Sequence, residues 1–346
     1  GDHRDLHLSL RRQRQMCIRD SHSIYFQFNS IYIWFINWTY CKNERAMGMN
    51  TNISDLSEKL SLEKEREVAR AFAKRFQWEM LTIGLGQALV WLSMWYLVVN
   101  GHISLFAGFI VSTFCACLAY LPSHEAQHGN FSRGNKKLQW IDSLVGNVSL
   151  ITLMYPYPLM KVTHMKHHAY TNDSEKDIDY DIVSCKNPWE VFRYTSEGPK
   201  KYKSFYEVHK NDINFADKFE QGVLISWIQT IAQFVLVVLF PLETLFLWFL
   251  PRKIGTFYTA MFFSWYPHHG LDIGRYKDSK FWTIRLPRYF THSMQLHFIH
   301  HLYPRIGHWD EPKAIIALKP FLLERGVPGA EEIPDQINYR SLIKRS

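Results

Sequence analysis

At 346 residues, 47% hydrophobic and 16% aromatic, the chain is long and apolar enough for a sizeable core, which excludes a wholly disordered protein. Its formal charge of +8 raises nucleic acid as a partner, but no basic helix or aromatic RNA-binding signature accompanies the charge, so a basic membrane face is expected and no nucleic acid. The five cysteines, at 17, 41, 115, 117 and 185, show no paired spacing, which excludes a zinc knuckle or disulfide framework and points to a reducing compartment.

Residues 1–46 differ in character from the rest. They are Arg/Gln-rich, then crowded with aromatics, Ile and Asn without helical or strand period. The "QMCIRDS" string resembles a translated sequencing-adapter scar, and Met47 or Met49 would make a natural start, so 1–46 is expected to be a non-native or disordered extension. A signal anchor is the alternative, although the apolar run 31–38 is short for a span. An amphipathic helix is expected within 47–77, then a membrane domain over 78–328 and a tail over 329–346.

Runs 81–99 and 103–121 each approach the ~20 apolar residues that cross a bilayer, separated only by Asn100, Gly101 and His102. They predict a membrane hairpin. The apolar zone 223–267, broken by Pro241 and by Pro251-Arg252-Lys253, is long enough for two further crossings. The stretch 144–159 is apolar but short and interrupted by Gly146, Pro156 and Pro158, which predicts an interfacial helix. Lys and Arg gather before Leu81, in the 133–218 loop and in the 275–345 tail; two hairpins put all three on one side, expected to be cytoplasmic. The fold class is therefore all-α: an integral, multi-pass protein with four transmembrane helices in two hairpins and a cytoplasmic helical cap.

Three clusters carry chemistry: His124-Glu-Ala-Gln-His128, His164-Met-Lys-His167-His168 and His297-Phe-Ile-His300-His301. Offsets of i, i+3 and i+4 place imidazoles on one helical face, where they can bind the same or neighbouring ions. With 17 His in 346 residues, HxxHH should arise by chance on the order of 0.04 times per chain, and it occurs twice. Eight imidazoles exceed one tetrahedral zinc site, whereas two iron ions can share them and keep positions open for oxygen. His268 or His269, in "WYPHHG", is expected to complete the ligand shell of the second metal ion. His209, His292 and His308 lack such spacing and read as surface or supporting residues. Asp173, Glu175, Asp177, Asp179 and Asp181 follow the second box and can accept ring N–H groups from ligand histidines. Glu125 is a candidate supporting or proton-transfer group. His124-Glu125-x-x-His128 also matches the HExxH zinc-protease motif, the rival reading, but that leaves both HxxHH boxes unexplained.

From about residue 78 to 328, the order HxxxH, HxxHH, second hairpin, HxxHH resembles the membrane fatty acid desaturase superfamily. The strings "HEAQHGN", "THMKHHAYTNDSEKDID", "WYPHHG" with "GRYKDS", and "QLHFIHHLYP" are similar especially to the branch of bacterial desaturases and carotenoid ring hydroxylases. The resemblance implies a di-iron centre with O2 as co-substrate, removing hydrogens from an acyl chain or hydroxylating a lipid ring. The implied ligands are His124, His128, His164, His167, His168, His297, His300 and His301, with His268 or His269 added. The first box has three intervening residues where acyl-CoA desaturases commonly have four, which puts acyl-CoA as substrate in doubt. The chain shows no fused haem-binding domain, so electrons are expected from a separate ferredoxin- or cytochrome b5-type protein, and the substrate from the membrane.

Overall fold

The computed structural model describes residues 53–197, 201–284 and 286–337; the expected 1–46 extension and the end of the expected tail lie outside them. The chain divides into units 1–63 and 64–346, and the site lies in the second. Among the described residues regular structure is helical apart from a single bridge residue.

Helix α1, Ile53–Phe72, falls within the expected amphipathic segment. In its second half, Ala69 is buried and Val68 and Phe72 pack against a core built on residues 296–333. Helices α2, Trp78–Val99, and α3, Leu105–Gln127, are joined by a tight turn. Gly101 turns the chain there at φ +72°, a conformation a Cβ would penalise, and Ser104 caps α3 by accepting the Ala107 N–H at 3.2 Å. The helix does not stop with the apolar run near residue 121. It continues to Gln127 and carries His124 on its last turn.

The apolar stretch 144–159 is not one helix. Helix α4, Gln139–Ser149, ends in a 3-10 turn, and α5, Tyr157–Tyr170, begins afresh behind Pro156. Pro156 lacks an N–H and turns Tyr155 from helical geometry, whereas Pro158 sits in the first turn of α5, where it is tolerated. Two short helices, α6 (Pro188–Glu197) and α7 (Tyr202–His209), lead to α8, Ile213–Leu239, which Asp212 caps by accepting the Phe215 N–H at 3.2 Å.

Helices α2, α3 and α8 are long and apolar enough to cross a membrane. Leu224, Trp227, Ile228, Ile231, Phe234 and Val238 of α8 are exposed, a band too large for a soluble surface and suited to lipid. Together with the family reported below, these helices make this a membrane protein. The segment over 241–268 is helical but carries Arg252 and Lys253 and two π stretches, Leu245–Phe249 and Ala260–Trp265, around α9, Leu250–Thr259, and it is not among the three helices long and apolar enough to cross a membrane in the described residues. The extra residue in each π turn re-aims the side chains that follow, His268 among them. Helix α10, His297–Leu302, and α11, Glu311–Glu324, complete the unit.

Glycines set the closest approaches. A Cβ on Gly255 of α9 would lie 2.9 Å from the Ala116 backbone of α3, and one on Gly222 of α8 would lie 2.9 Å from the Leu159 backbone nitrogen of α5. Backbone cannot rotate away, so Gly255→Ala should destabilise by about 1–3 kcal/mol, seen as a lower apparent melting temperature in detergent. An unchanged transition would show that α3 and α9 are not packed this closely.

Candidate metal centre

Each box puts histidines on one side of a helix end and apolar residues on the other. In α10, Phe298, Ile299 and Leu302 are buried in the core, which forces His297, His300 and His301 to the opposite face. Helix α5 does the same for its box: Leu159 and Val162 face a second core, while His164, His167 and His168 face α3 and α10.

The first group comprises His124, His128, His164, His168 and His300, whose ligating nitrogens all lie within 4.8 Å of one another. Four Nε2 atoms form a closed square: His128 to His164 at 2.8 Å, His164 to His168 at 3.1 Å, His168 to His300 at 3.1 Å and His300 to His128 at 2.8 Å. Each ring nitrogen holds either one proton or one lone pair, so ordinary hydrogen bonds satisfy at most two of these four contacts. Four lone pairs converging on one cation satisfy all of them. Nitrogens about 2.1 Å from a shared ion and at right angles to each other would be roughly 3.0 Å apart, as the square is. His124 joins with its ring centroid 4.1 Å from that of His300, and both its nitrogens are buried without a hydrogen-bond partner.

The second group is His167, His268 and His301. His167 Nδ1 lies 2.9 Å from Asp177 Oδ1, and His268 Nδ1 lies 2.7 Å from the Asp278 carbonyl oxygen. Both partners only accept, so Nδ1 is the donor in each ring and Nε2 is the nitrogen turned toward the other histidines. Those two Nε2 atoms are buried and have no hydrogen-bond partner, an arrangement that fits a metal and leaves a cost without one. His297 stands between the groups, its Nε2 3.2 Å from His301 Nε2 and its ring 5.4 Å from that of His124.

Burial, reinforced by the neighbouring imidazoles, pushes His128, His164, His168, His300 and His301 well below the ordinary histidine range, so the rings are neutral and their lone pairs free. His167 behaves differently. Burial lowers it, but the Asp177 carboxylate outweighs burial and raises it to about 9. Asp177 itself is pushed up by burial yet held below the usual carboxylate range by His167 and by the N–H groups of Asn172 and Asp179, each donating at 2.9 Å.

Of the two alternatives at the end of the 241–268 segment, the structure brings His268 to the cluster and leaves His269 outside it. His269 stacks on Trp265 at 4.7 Å, and its Nδ1 is 2.8 Å from the Val183 carbonyl oxygen. Among the five acidic candidates, Asp177 alone is hydrogen-bonded to a box histidine. Asp173 caps the turn at Glu175 and Lys176, Glu175 is exposed, Asp179 accepts from Ser264 at 2.8 Å, and Asp181 faces Tyr194 and Lys201. Glu125 is fully buried, but its oxygens accept from Asn130 Nδ2 at 3.0 Å and the His308 backbone N–H at 3.2 Å, and neither belongs to the histidine groups. A protease's general base would need a free oxygen at the metal. His308, expected to be a surface or supporting residue, is buried and ion-paired to Glu311 at 3.0 Å. Nothing in its spacing signals this, because its partners are remote in sequence or lie on the next helix.

A cavity of about 230 Å³ opens onto the centre. His124, His164 and His297 line it together with Tyr120, Met160 and Phe263, and Phe263 lies 5.6 Å from the His124 ring.

A family model described as fatty acid desaturase matches residues 90–330, which span all three boxes and His268. The chain belongs to the fatty acid desaturase family. Among the family's curated members, an omega-3 fatty acid desaturase of Brassica napus chloroplasts is 25% identical over 240 residues, covering 59% of this chain and 58% of the relative. An sn-2 acyl-lipid omega-3 desaturase (ferredoxin) of Arabidopsis thaliana chloroplasts is 25% identical over 240 residues, covering 59% and 52%. An sn-1 oleoyl-lipid 12-desaturase of Synechocystis sp. is 24% identical over 250 residues, covering 60% and 67%. The chain thus spans little more than half the length of the first two desaturases.

Because Asp177 fixes the ring of His167, Asp177→Asn should weaken metal retention by about 10–100-fold while the helices stay folded. Metal titration of the purified variant with circular dichroism checks both; undiminished affinity would remove Asp177 from the site.

Proposed function

We propose that this chain is an O2-dependent, membrane-embedded di-iron desaturase that introduces a C=C bond into a fatty acyl chain. The observation that carries the reading is the pair of histidine groups, one a closed square of nitrogens and the other held by Asp177 and Asp278, meeting beneath one cavity. Two irons are the assignment because the donors divide into two groups and are imidazoles throughout, a set suited to iron that leaves room for oxygen. The ligands are His124, His128, His164, His168 and His300 for one ion and His167, His268 and His301 for the other, with His297 between them.

Two irons bound here would supply oxygen activation and the oxidising power for an unactivated C–H bond. The protein's own part is positional. Met160 and Phe263 offer apolar contact to a methylene chain, while Tyr120 and the box histidines border the place where the reacting carbons would sit. Asp177 and the Asp278 carbonyl hold their imidazoles in the tautomer that presents Nε2. Removal of two hydrogens from adjacent carbons leaves the double bond; O2, two electrons from a separate ferredoxin- or cytochrome b5-type donor and two protons close the balance as two waters.

Four crossings in two hairpins, α2 with α3 and α8 with the segment over 241–268, put the centre on the cytoplasmic side. This orientation rests on the basic residues of the 133–218 and 275–345 regions. The names of the acyl-lipid relatives favour desaturation over ring hydroxylation.

His167→Ala and His300→Ala, one from each group, should each reduce new double bonds in the fatty acids of an expressing host to background, with membrane insertion preserved. Gas chromatography of the host lipids reads the outcome. Turnover retained in both variants would sink the ligand assignment.

A further inference from the structure

The histidine cluster is approached from two sides. The cavity reaches it through His124, His164, His167 and His297. His128, His168 and His301 do not line that cavity, yet each is partly exposed, so a second face of the cluster meets the surface. Two segments build the rim of that face. The turn after α3 is tied to the loop after α10 by Asn130 Nδ2, which donates to the Pro304 carbonyl oxygen at 2.9 Å, and by Arg133, which donates to the Arg305 carbonyl oxygen. A Cβ on Gly134 would lie 3.9 Å from Arg305 Nη2, so Lys136 and Lys137, two and three residues further on, share this rim with Arg305. On the other flank, the Arg275 guanidinium lies 5.3 Å over the Tyr303 ring and donates to the Leu302 carbonyl oxygen at 3.2 Å. Tyr303 itself follows His301 by two residues.

The charge on this rim is one-sided. Lys136, Lys137 and Arg275 are exposed and Arg305 is partly exposed, and among the described residues none of them has a carboxylate within 4.0 Å. Asp310, on the chain just beyond this loop, is engaged by Arg75 at 3.0 Å. Unpaired cations around a tyrosine ring suit a protein partner of opposite charge, because Arg and Tyr are enriched at protein interfaces and the field of the cations steers an acidic surface toward them. We propose that Lys136, Lys137, Arg275 and Arg305, around Tyr303, form the docking face for an acidic one-electron carrier protein. The proposal rests on the desaturase reading for its need of electrons, while the docking itself does not. Each docking would oxidise the carrier by one electron, and two would supply the two electrons that, with two protons, close the balance to water. Carrier and substrate would thus reach the histidines from different faces, and a carrier could dock while the cavity is occupied.

The test uses the full chain in nanodiscs of neutral phosphatidylcholine and measures, by biolayer interferometry, binding of two acidic probes, a [2Fe–2S] ferredoxin and the soluble domain of cytochrome b5. At least one should bind, with an affinity that falls about fivefold or more between ~50 and ~200 mM salt as the charges are screened. Lys136→Glu, Lys137→Glu and Arg305→Glu together should weaken that binding by about tenfold or more, and the corresponding glutamine triple by an intermediate factor. Lys186→Glu, Arg193→Glu and Lys203→Glu, an equal charge change on exposed residues outside the rim, should leave it within about twofold of wild type. Binding of neither probe, or equal loss in both reversed triples, overturns the docking face. Wild-type affinity in the rim-reversed or glutamine triple overturns it as well and leaves the rim's charge to anionic lipid. Desaturation is read separately, as double bonds formed when the chemically pre-reduced wild type meets O2. Rim-specific binding without such product would sink the desaturase reading and leave this face standing.

Discussion

Nine imidazoles drawn together in a low-dielectric interior are unstable company unless something positive sits among their lone pairs. Burial keeps the rings neutral, neutrality keeps the lone pairs, and the lone pairs point at one another across 2.8–3.2 Å. The surrounding shell depends on that constraint. The cores behind α5 and α10 fix the backbones that carry the rings, and the carboxylate of Asp177 and carbonyl of Asp278 decide which nitrogen each ring presents. An unliganded cluster of this kind would relax by protonation or rotation, whereas metal converts the same crowding into coordination.

Much of this cluster was legible in the sequence because its histidines come in helical spacing. The i, i+3, i+4 offsets put His164, His167 and His168, and likewise His297, His300 and His301, on one helical side. The partition was not legible. His167 and His168 are adjacent in sequence yet serve different groups, since neighbouring side chains on a helix point about 100° apart, which sends His168 toward His164 and His300 and His167 toward His268. The choice of His268 over His269 depends on a π stretch just upstream, which alters the phase of the helix in a way that periodicity counting does not see. Asp177 stands out among five nearby carboxylates only because the loop after α5 folds it back onto His167.

The membrane part shows the same division between local and tertiary information. Apolar runs mark α2, α3 and α8, and Asn100-Gly101-His102 marks the turn between the first two. Apolar content did not locate the end of α3, since the helix passes from lipid-suited surface into the histidine cluster with a bend at Ala119 and carries His124 with it. The stretch 144–159 was misread as one interfacial helix because composition dominated the reading, while Pro156 decided the backbone. The buried run Glu125, His308 and Glu311 had no signature, since it forms where the loop before α11 donates the His308 N–H to Glu125 at the end of α3.

Metal analysis of the purified full chain by inductively coupled plasma mass spectrometry, prepared without chelators and with iron supplied, bears on the central claim most directly. Iron approaching two per chain is the expected result, because the donors form two separate groups of imidazoles. One persistent zinc per chain with no iron would contradict the account and return the HExxH reading of His124, Glu125 and His128 to the front.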